Sequence, residues 1–199
     1  NNIIEKKLID GSEITLNRNS KIIYTKKFNK KQRKITLEGE AFFNVRKDVD
    51  RPMLVKTEAV ETTVTGTEFR IKQSEKGIQI VLIEGEVSVA YNQKSSLLKP
   101  SQQWIWNRST DQELITNVRD SNGDYVRFEN ERLSKILVFL EWKYDVEFSY
   151  QPEEIEDCLI SISIGDVSID QAFKLISFVS NVCFEANESK QYVISEKCK

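Results

Sequence analysis

The stretch LEGEAFFNV, Leu37 to Val45, decides how the fold of this chain is read, because a shorter version of it returns as IEGEV, Ile83 to Val87. Strict alternation puts Leu37, Gly39, Ala41, Phe43 and Val45 on one face and Glu38, Glu40, Phe42 and Asn44 on the other. That period of two is the signature of a strand with one face in a core. In the second occurrence Ile83, Gly85, Val87, Val89 and Tyr91 make the apolar face, while Glu84, Glu86 and Ser88 point away. Both carboxylate pairs are therefore expected on solvent-facing positions. A glycine on the apolar side marks a place too tight for a side chain, or a bulge at which the strand bends.

Similar alternation extends in both directions. SEITLN, SKIIYT, RKITLEGEAFFNV, PMLVKT, VETTVTGTEFRIK, IQIVLIEGEVSVAY and QWIWN follow one another between Ile3 and about Thr116, separated by polar turns. Many short runs rich in Thr, Val and Ile predict an all-β unit: a sandwich, a barrel or a coiled sheet.

Beyond the turn-rich Asp120-Ser-Asn-Gly-Asp124 the period changes. After the short strand YVRF, Leu133, Ile136, Leu137, Leu140 and Tyr144 recur at helical spacing behind Asn130 as N-cap, and VEF (Val146 to Phe148) returns to a strand. LISISI then leads to Ser168-Ile-Asp-Gln171, a capping box opening a helix with Ile169, Ala172, Phe173, Ile176 and Val179 on one face. VCFEA and QYVIS close the chain as strands. The two halves match at an offset of 36 residues: Val126 and Phe128 on Ile162 and Ile164, Leu133 on Ile169, Leu137 on Phe173, Leu140 on Ile176, Val146 on Val182, Phe148 on Phe184. This predicts a duplicated β-α-β lobe whose copies share one small sheet. The expected fold is α+β, mostly β, with an all-β domain over residues 1–119 and the duplicated lobe over 120–199.

Composition narrows the chemistry. A chain of 199 residues with 39% hydrophobic and 30% charged residues and seven Gly can bury a real core, so it is read as folded throughout. Twenty-nine basic against 31 acidic residues give a net charge of -2, which disfavours nucleic acid as a partner. Histidine is absent, which removes the commonest general base and every imidazole-ligated metal site. Cys158, Cys183 and Cys198 are an odd number without C-x-x-C spacing; they are read as small buried or terminal thiols, with one bridge left open. No signal peptide or apolar run of transmembrane length is present. Because residue 1 is Asn and the sole Met is Met53, the chain is expected to be cut from a longer one.

Three features invite sharper readings. Glu38, Glu40, Glu84 and Glu86 would hold calcium or run acid-base chemistry only if their strands were neighbours around a concave, partly dry pocket. Their outward alternation argues for a solvated face, so no catalytic, metal or cofactor residue is expected. The run KKFNKKQRK, Lys26 to Lys34, reads as a solvated hairpin loop. Phe42 falls on the charged face of its strand, Trp104 and Trp106 share one face of QWIWN, and Trp142 lies off the main helix stripe. These four aromatics are the candidate partner-binding residues, with Trp142 the better exposed anchor; the alternative for Phe42, Trp104 and Trp106 is cover by the C-terminal lobe or an adjacent strand. The edges of the C-terminal sheet, with VCFEA and QYVIS as the expected exposed strands, offer a second docking mode.

In order along the chain, IDGSEITLN, Ser20-x-Ile22-x-Tyr24, LEGEAFFNV, RPMLVKT, VTGTEFRI, VLIEGEVSV, LKPSQQW and FENERLSKILVFLEWKYDVEFSY resemble the periplasmic part of FecR-type anti-sigma factors. The chain departs from that family in having Ser101 where Gly is usual, and in lacking a Trp shortly before NGDYVRF. The resemblance implies a coiled or roll-like β domain followed by a lobe similar to the short N-terminal domain of secretins and TonB-dependent receptors. It also implies a non-enzymatic role in cell-surface signalling. The implied partners are the signalling domain of an outer-membrane TonB-dependent transporter and, through a cytoplasmic domain outside this chain, an extracytoplasmic-function sigma factor. The implied location is the periplasm, tethered by a single upstream inner-membrane helix. The competing expectation is a secreted or surface-attached carbohydrate-binding β-domain that stacks sugar on Trp104 and Trp106.

Overall fold

The computed structural model describes residues 3–25, 28, 33–120, 124–155, 157–186 and 191–195. The alternating runs become strands, in the order β1 (Ile4–Lys7), β2 (Glu13–Leu16), β3 (Lys21–Ile23), β4 (Arg33–Glu38), β5 (Glu40–Asn44), β6 (Met53–Lys56), β7 (Glu61–Val64), β8 (Glu68–Ser74), β9 (Gly77–Glu84), β10 (Val87–Tyr91), β11 (Lys94–Leu98), β12 (Gln102–Asn107) and β13 (Gln112–Val118). The C-terminal part continues with β14 (Val126–Arg132), α1 (Leu133–Tyr144), β15 (Glu147–Ser149), α2 (Pro152–Ile155), β16 (Leu159–Ile164), α3 (Ile169–Ser180), β17 (Cys183–Ala186) and β18 (Gln191–Ser195). The molecule is mostly β, as its alternation predicts.

All the described strands except β15, β17 and β18 are dealt between two facing sheets. One has nine strands in the order β1-β2-β5-β8-β9-β12-β13-β14-β16, the other six in the order β11-β10-β7-β6-β4-β3. The chain therefore changes sheet repeatedly, and the two Glu-Gly-Glu motifs are two of the crossing points. Gly39 (φ 92°) stands between β4 of one sheet and β5 of the other, and Gly85 (φ 93°) between β9 and β10. Such a positive φ is open to glycine and strained for other residues. Space forbids a side chain as well: a Cβ on Gly39 would lie 2.6 Å from Ser20 Oγ, the same hydroxyl that accepts the Glu40 N–H at 2.8 Å.

At the first corner the alternation survives, and Leu37, Ala41, Phe43 and Val45 are all buried. At the second it slips. The register runs Glu68 opposite Glu84 and then Phe69 opposite Leu82, so Ile83 is the extra residue of a bulge. The buried series is Ile78, Ile80, Leu82, and Ile83 is only half-buried rather than in the core as simple alternation predicts. Between the sheets lies the first core, where Phe43 and Phe69 stack with ring centroids 4.9 Å apart and Ile35, Leu37, Met53 and Val55 face them.

A second core lies on the other face of the nine-stranded sheet. There Val81, Ile105, Leu114 and Val118 pack with Leu133, Ile136, Leu137, Phe139 and Leu140 of α1 and with Ala172, Phe173 and Ile176 of α3. The first strands of the two β-α-β segments, β14 and β16, extend the nine-stranded sheet, while β15 and β17 flank β18 in a separate three-stranded sheet. One small shared sheet was expected. Strands of both sheets instead pack against α1 and α3, covering α1 and leaving one face of α3 bare. Strand QYVIS is consequently central in its sheet rather than an exposed edge.

Helix starts follow local chemistry. The Ser168–Gln171 capping box forms as expected, with Gln171 N–H donating to Ser168 Oγ. Asn130 is not the N-cap of α1: Arg132 holds that position without a side-chain bond, and Asn130 (φ 48°) sits in a bulge opposite β16. Cys158 is a free thiol and Cys183 is disulfide-bonded, which corrects the reading of Cys183 as a thiol; Cys198 lies outside the described residues.

Two substitutions test the backbone account with opposite signs. Gly39→Ala is expected to lower stability in denaturant melts by roughly 2 kcal/mol or more, from strain plus the clash with Ser20. Ser101 holds a φ of 64° where glycine is at ease, so Ser101→Gly is expected to raise stability by up to about 1 kcal/mol. A neutral Gly39→Ala would remove the corner role from this glycine.

Candidate interaction surface

The IDGS turn is built around a buried charge. Asp10 accepts the Ser12 N–H at 3.0 Å and its hydroxyl at 2.9 Å, and also pairs with Arg33 Nη1 at 3.1 Å. Arg33 also donates to the carbonyls of Arg51 (2.5 Å), Arg46 (2.8 Å) and Asp48 (3.3 Å), so its guanidinium is satisfied on every side. The basic run is thus not wholly a solvated loop: Arg33 opens β4 in the interior and Phe28 is buried against Tyr24, whereas Lys34 is exposed. Lys26, Lys27 and residues 29–32 lie outside the described residues.

The four glutamates of the corners do not converge. Along β8, Glu40 lies beside Lys72 at one end and Glu84 beside Glu68 at the other. Glu38 pairs with Lys21 at 3.2 Å, and Glu40 is held by Arg70 Nε at 2.7 Å. Among the described residues no group of three His, Cys, Asp or Glu is placed to hold a metal.

Trp104 and Trp106 do share a face, but it points into the first core: Trp104 is fully buried and Trp106 is 8% exposed. Their indole N–H groups donate to Glu113 (3.0 Å) and Asp111 (2.9 Å), and Tyr91 leans on both rings at 5.9 and 5.5 Å. The Tyr91 hydroxyl and the Trp106 N–H hold the Asp111 carboxyl below the usual range. The expected flat stacking platform for sugar is therefore absent at these two rings. Trp142, expected as an exposed anchor, is 8% exposed and belongs to the second core, because the outer face of the nine-stranded sheet covers that side of α1. Phe42 is half-buried beside Arg70 and Thr15, on the part of the outer face that α1 leaves bare, and retains some surface.

A cleft of about 610 Å³ runs between the β8–β9 hairpin and the C-terminal end of α1, lined in part by Lys72, Lys76, Arg108, Lys143 and Trp142. Most of its cations are committed to structure. Lys76 Nζ donates to the carbonyls of Trp142 (3.3 Å) and Lys143 (3.5 Å), where the negative end of the helix dipole lies. Arg108 Nε donates to Glu75 O at 3.0 Å and pairs with Glu58, and Lys143 Nζ donates to Asp124 O at 3.1 Å. Below them Gln79 donates to Gln103 at 2.8 Å and Gln103 to Thr116 at 3.0 Å, a buried amide ladder across β9, β12 and β13. The cleft is a joint between sheet and helix more than an open ligand site.

Open apolar surface concentrates on α3. Leu175, Phe178 and Val179 are 44%, 87% and 47% exposed, although Val179 was expected on the buried stripe. LISFV is apolar almost all round, and choosing one stripe for the core hid the second; an apolar excess of this kind is the signal that finds it.

Glu141, on the lobe side of α1, accepts the Phe148 N–H at 3.3 Å. Burial pushes its carboxyl above the usual range, that hydrogen bond opposes the rise, and Glu147 adds to it. Its proton is thus held more tightly in the folded chain than in the unfolded one, so the stability it contributes is complete below the unfolded value and is lost as pH rises through the folded value. Glu141→Gln is expected to lose less thermal stability than the parent between about pH 4 and about pH 7. Equal losses would show that this carboxyl does not govern the pH response.

Among curated proteins none matches the chain. Two crystal structures of a candidate anti-sigma factor from Parabacteroides distasonis ATCC 8503, at 1.65 and 2.50 Å resolution, share its fold at TM-scores of 0.58 and 0.57. Each is 24% identical to it, covering 98% of this chain and 95% of that one. The family model described as FecR protein matches residues 1–88, and the one described as FecR, C-terminal, matches residues 125–194. The two models together take up most of the chain, the first reaching the start of β10 and the second running from just before β14 into β18, and the chain belongs to the FecR family.

Proposed function

We propose that this chain is the periplasmic sensor region of a single-pass inner-membrane anti-sigma factor. It binds the signalling domain of an outer-membrane TonB-dependent transporter and relays the signal to an extracytoplasmic-function sigma factor through a cytoplasmic domain outside this chain. It works without catalysis. Two units carry it, residues 1–119 and 120–199, the second a duplicated β-α-β lobe similar to the short N-terminal domain of secretins and TonB-dependent receptors.

The observation that supports this reading most is where the surface is spent. The cleft and the tryptophans are occupied by the protein's own contacts, while the lobe presents a bare apolar helix face in α3. A surface of that kind suits a protein partner better than a small molecule. Of the four aromatics first considered for partner binding, Phe42 retains surface in the free chain. The change from an all-β run to helix-bearing segments after residue 120, and a C-terminal family model beginning at residue 125, support the division of the chain.

Titration calorimetry of the chain against the signalling domain of the TonB-dependent transporter encoded beside it is expected to give saturable binding, micromolar or tighter, about -8 kcal/mol. Absence of heat together with absence of co-elution would refute the transporter reading.

A further inference from the structure

Strands β14 and β16 pair about a local twofold axis. Val126 lies opposite Ile164, Arg127 opposite Ser163 and Phe128 opposite Ile162. Shifting each residue by 36 positions exchanges the first pair with the third, so these three pairs map onto themselves, as an isologous contact does, whereas the pairs beyond the bulge, Glu131–Ile160 and Arg132–Leu159, do not. Each strand is followed by a helix of twelve residues, α1 or α3. Whatever lies beyond β14 therefore has an equivalent place beyond β16.

Beyond β14 lies β13, joined to it at Val118 opposite Val126 and Asn117 opposite Arg127. Leu114 and Val118 of β13, with Ile105 and Val81 behind them, share a core with Phe139 and Trp142 of α1. Beyond β16 the sheet stops among the described residues. The α3 residues at the positions of Phe139, Trp142 and Lys143 are Leu175, Phe178 and Val179, the three that are bare. One unfilled place in the sheet thus accounts for both the open edge and the exposure of Leu175 and Phe178, the counterparts of the covered Phe139 and Trp142.

The edge itself is unguarded. Sheet edges are normally protected by charge or proline against pairing with other chains. The other edge strands carry Glu5, Lys6 and Lys7 (β1), Lys21 (β3), Lys94 (β11), Glu147 (β15) and Glu185 (β17). The segment LISISI of β16 has neither charge nor proline.

We propose that β16 and α3 together form a receptor for one extended strand of a partner protein. That strand would pair with β16 as β13 pairs with β14, and set alternate apolar side chains against Leu175, Phe178 and Val179. Its chemistry follows from the filled half of the pair: neutral at the paired positions, free of proline, and uncharged at every second residue with apolar side chains at the two ends, as at Leu114, Thr116 and Val118. The receptor is continuous with the β13–β14 joint and does not depend on the partner's being a transporter.

The test uses the whole chain and, as probe, a synthetic peptide of sequence QELITNV, which is β13 itself, with a scrambled peptide as control. In an NMR titration, saturable shifts are expected at the amides of Ser161 and Ser163 and the methyls of Leu175 and Val179. Phe178→Asp, at an exposed position that leaves the fold intact, is expected to weaken binding at least tenfold. No shift, shifts confined to other strand edges or to Val126 and Arg127, or equal binding by Phe178→Asp would overturn the proposal. A dimer in sedimentation velocity that Phe178→Asp abolishes would also overturn it, by making a second copy of this chain the occupant.

Discussion

The nine-stranded sheet is buried on both faces along its middle strands, and the rest of the molecule is arranged to permit this. β9 is buried from Gly77 to Leu82 and β12 from Gln103 to Asn107. Ile78, Ile80, Leu82, Trp104 and Trp106 serve the core between the sheets; Val81 and Ile105 serve the core beneath α1. Since each fully buried aliphatic side chain contributes about 1.5–3 kcal/mol, two cores sharing one sheet couple the halves of the chain strongly. Exposed pairs such as Lys7–Glu13 and Lys21–Glu38 are worth less than about 1 kcal/mol each and do not decide the architecture.

A sheet covered twice must satisfy its polar groups internally. On the α1 side the Gln79–Gln103–Thr116 ladder does so, each amide donating to the next strand. At the end of the sandwich Asp10 and Arg33 are almost completely buried, and three backbone carbonyls share the guanidinium. Removing one member of such a pair typically costs about 3–5 kcal/mol, because the other charge is left uncompensated, whereas the intact pair need not add net stability. Its use here is positional: it ties the IDGS turn to the loop that leads into β6.

The same economy of surface bears on function. Lys76 ties the β8–β9 hairpin to the C-terminal end of α1, and the second core holds the helix to the sheet, so the first half of the lobe is committed to the β domain. The second half is not. A family member built to detect another protein would be served by this division, with one half of the lobe anchoring and the other offering a strand edge and a helix face.

Much of this was legible from residue order. Period-two alternation located most of the strands, the capping box at Ser168 fixed the start of α3, and the spacing of Val126, Leu133 and Phe148 against Ile162, Ile169 and Phe184 marked two comparable segments. These follow from local chemistry, which acts within a few residues. Other features depended on partners distant in sequence. Arg33 reads as part of a basic loop until Asp10 and three remote carbonyls surround it. Ile83 reads as core until the register with β8 makes it a bulge, and Trp142 reads as an exposed anchor until the outer face of the nine-stranded sheet covers it. Sequence by itself determined the family and most of the elements, because backbone preference and alternation are local, but it passed over β1, β11, β13 and α2, whose runs alternate weakly or are short. Tertiary structure alone decided which faces met water, because burial is set by what packs from elsewhere in the chain.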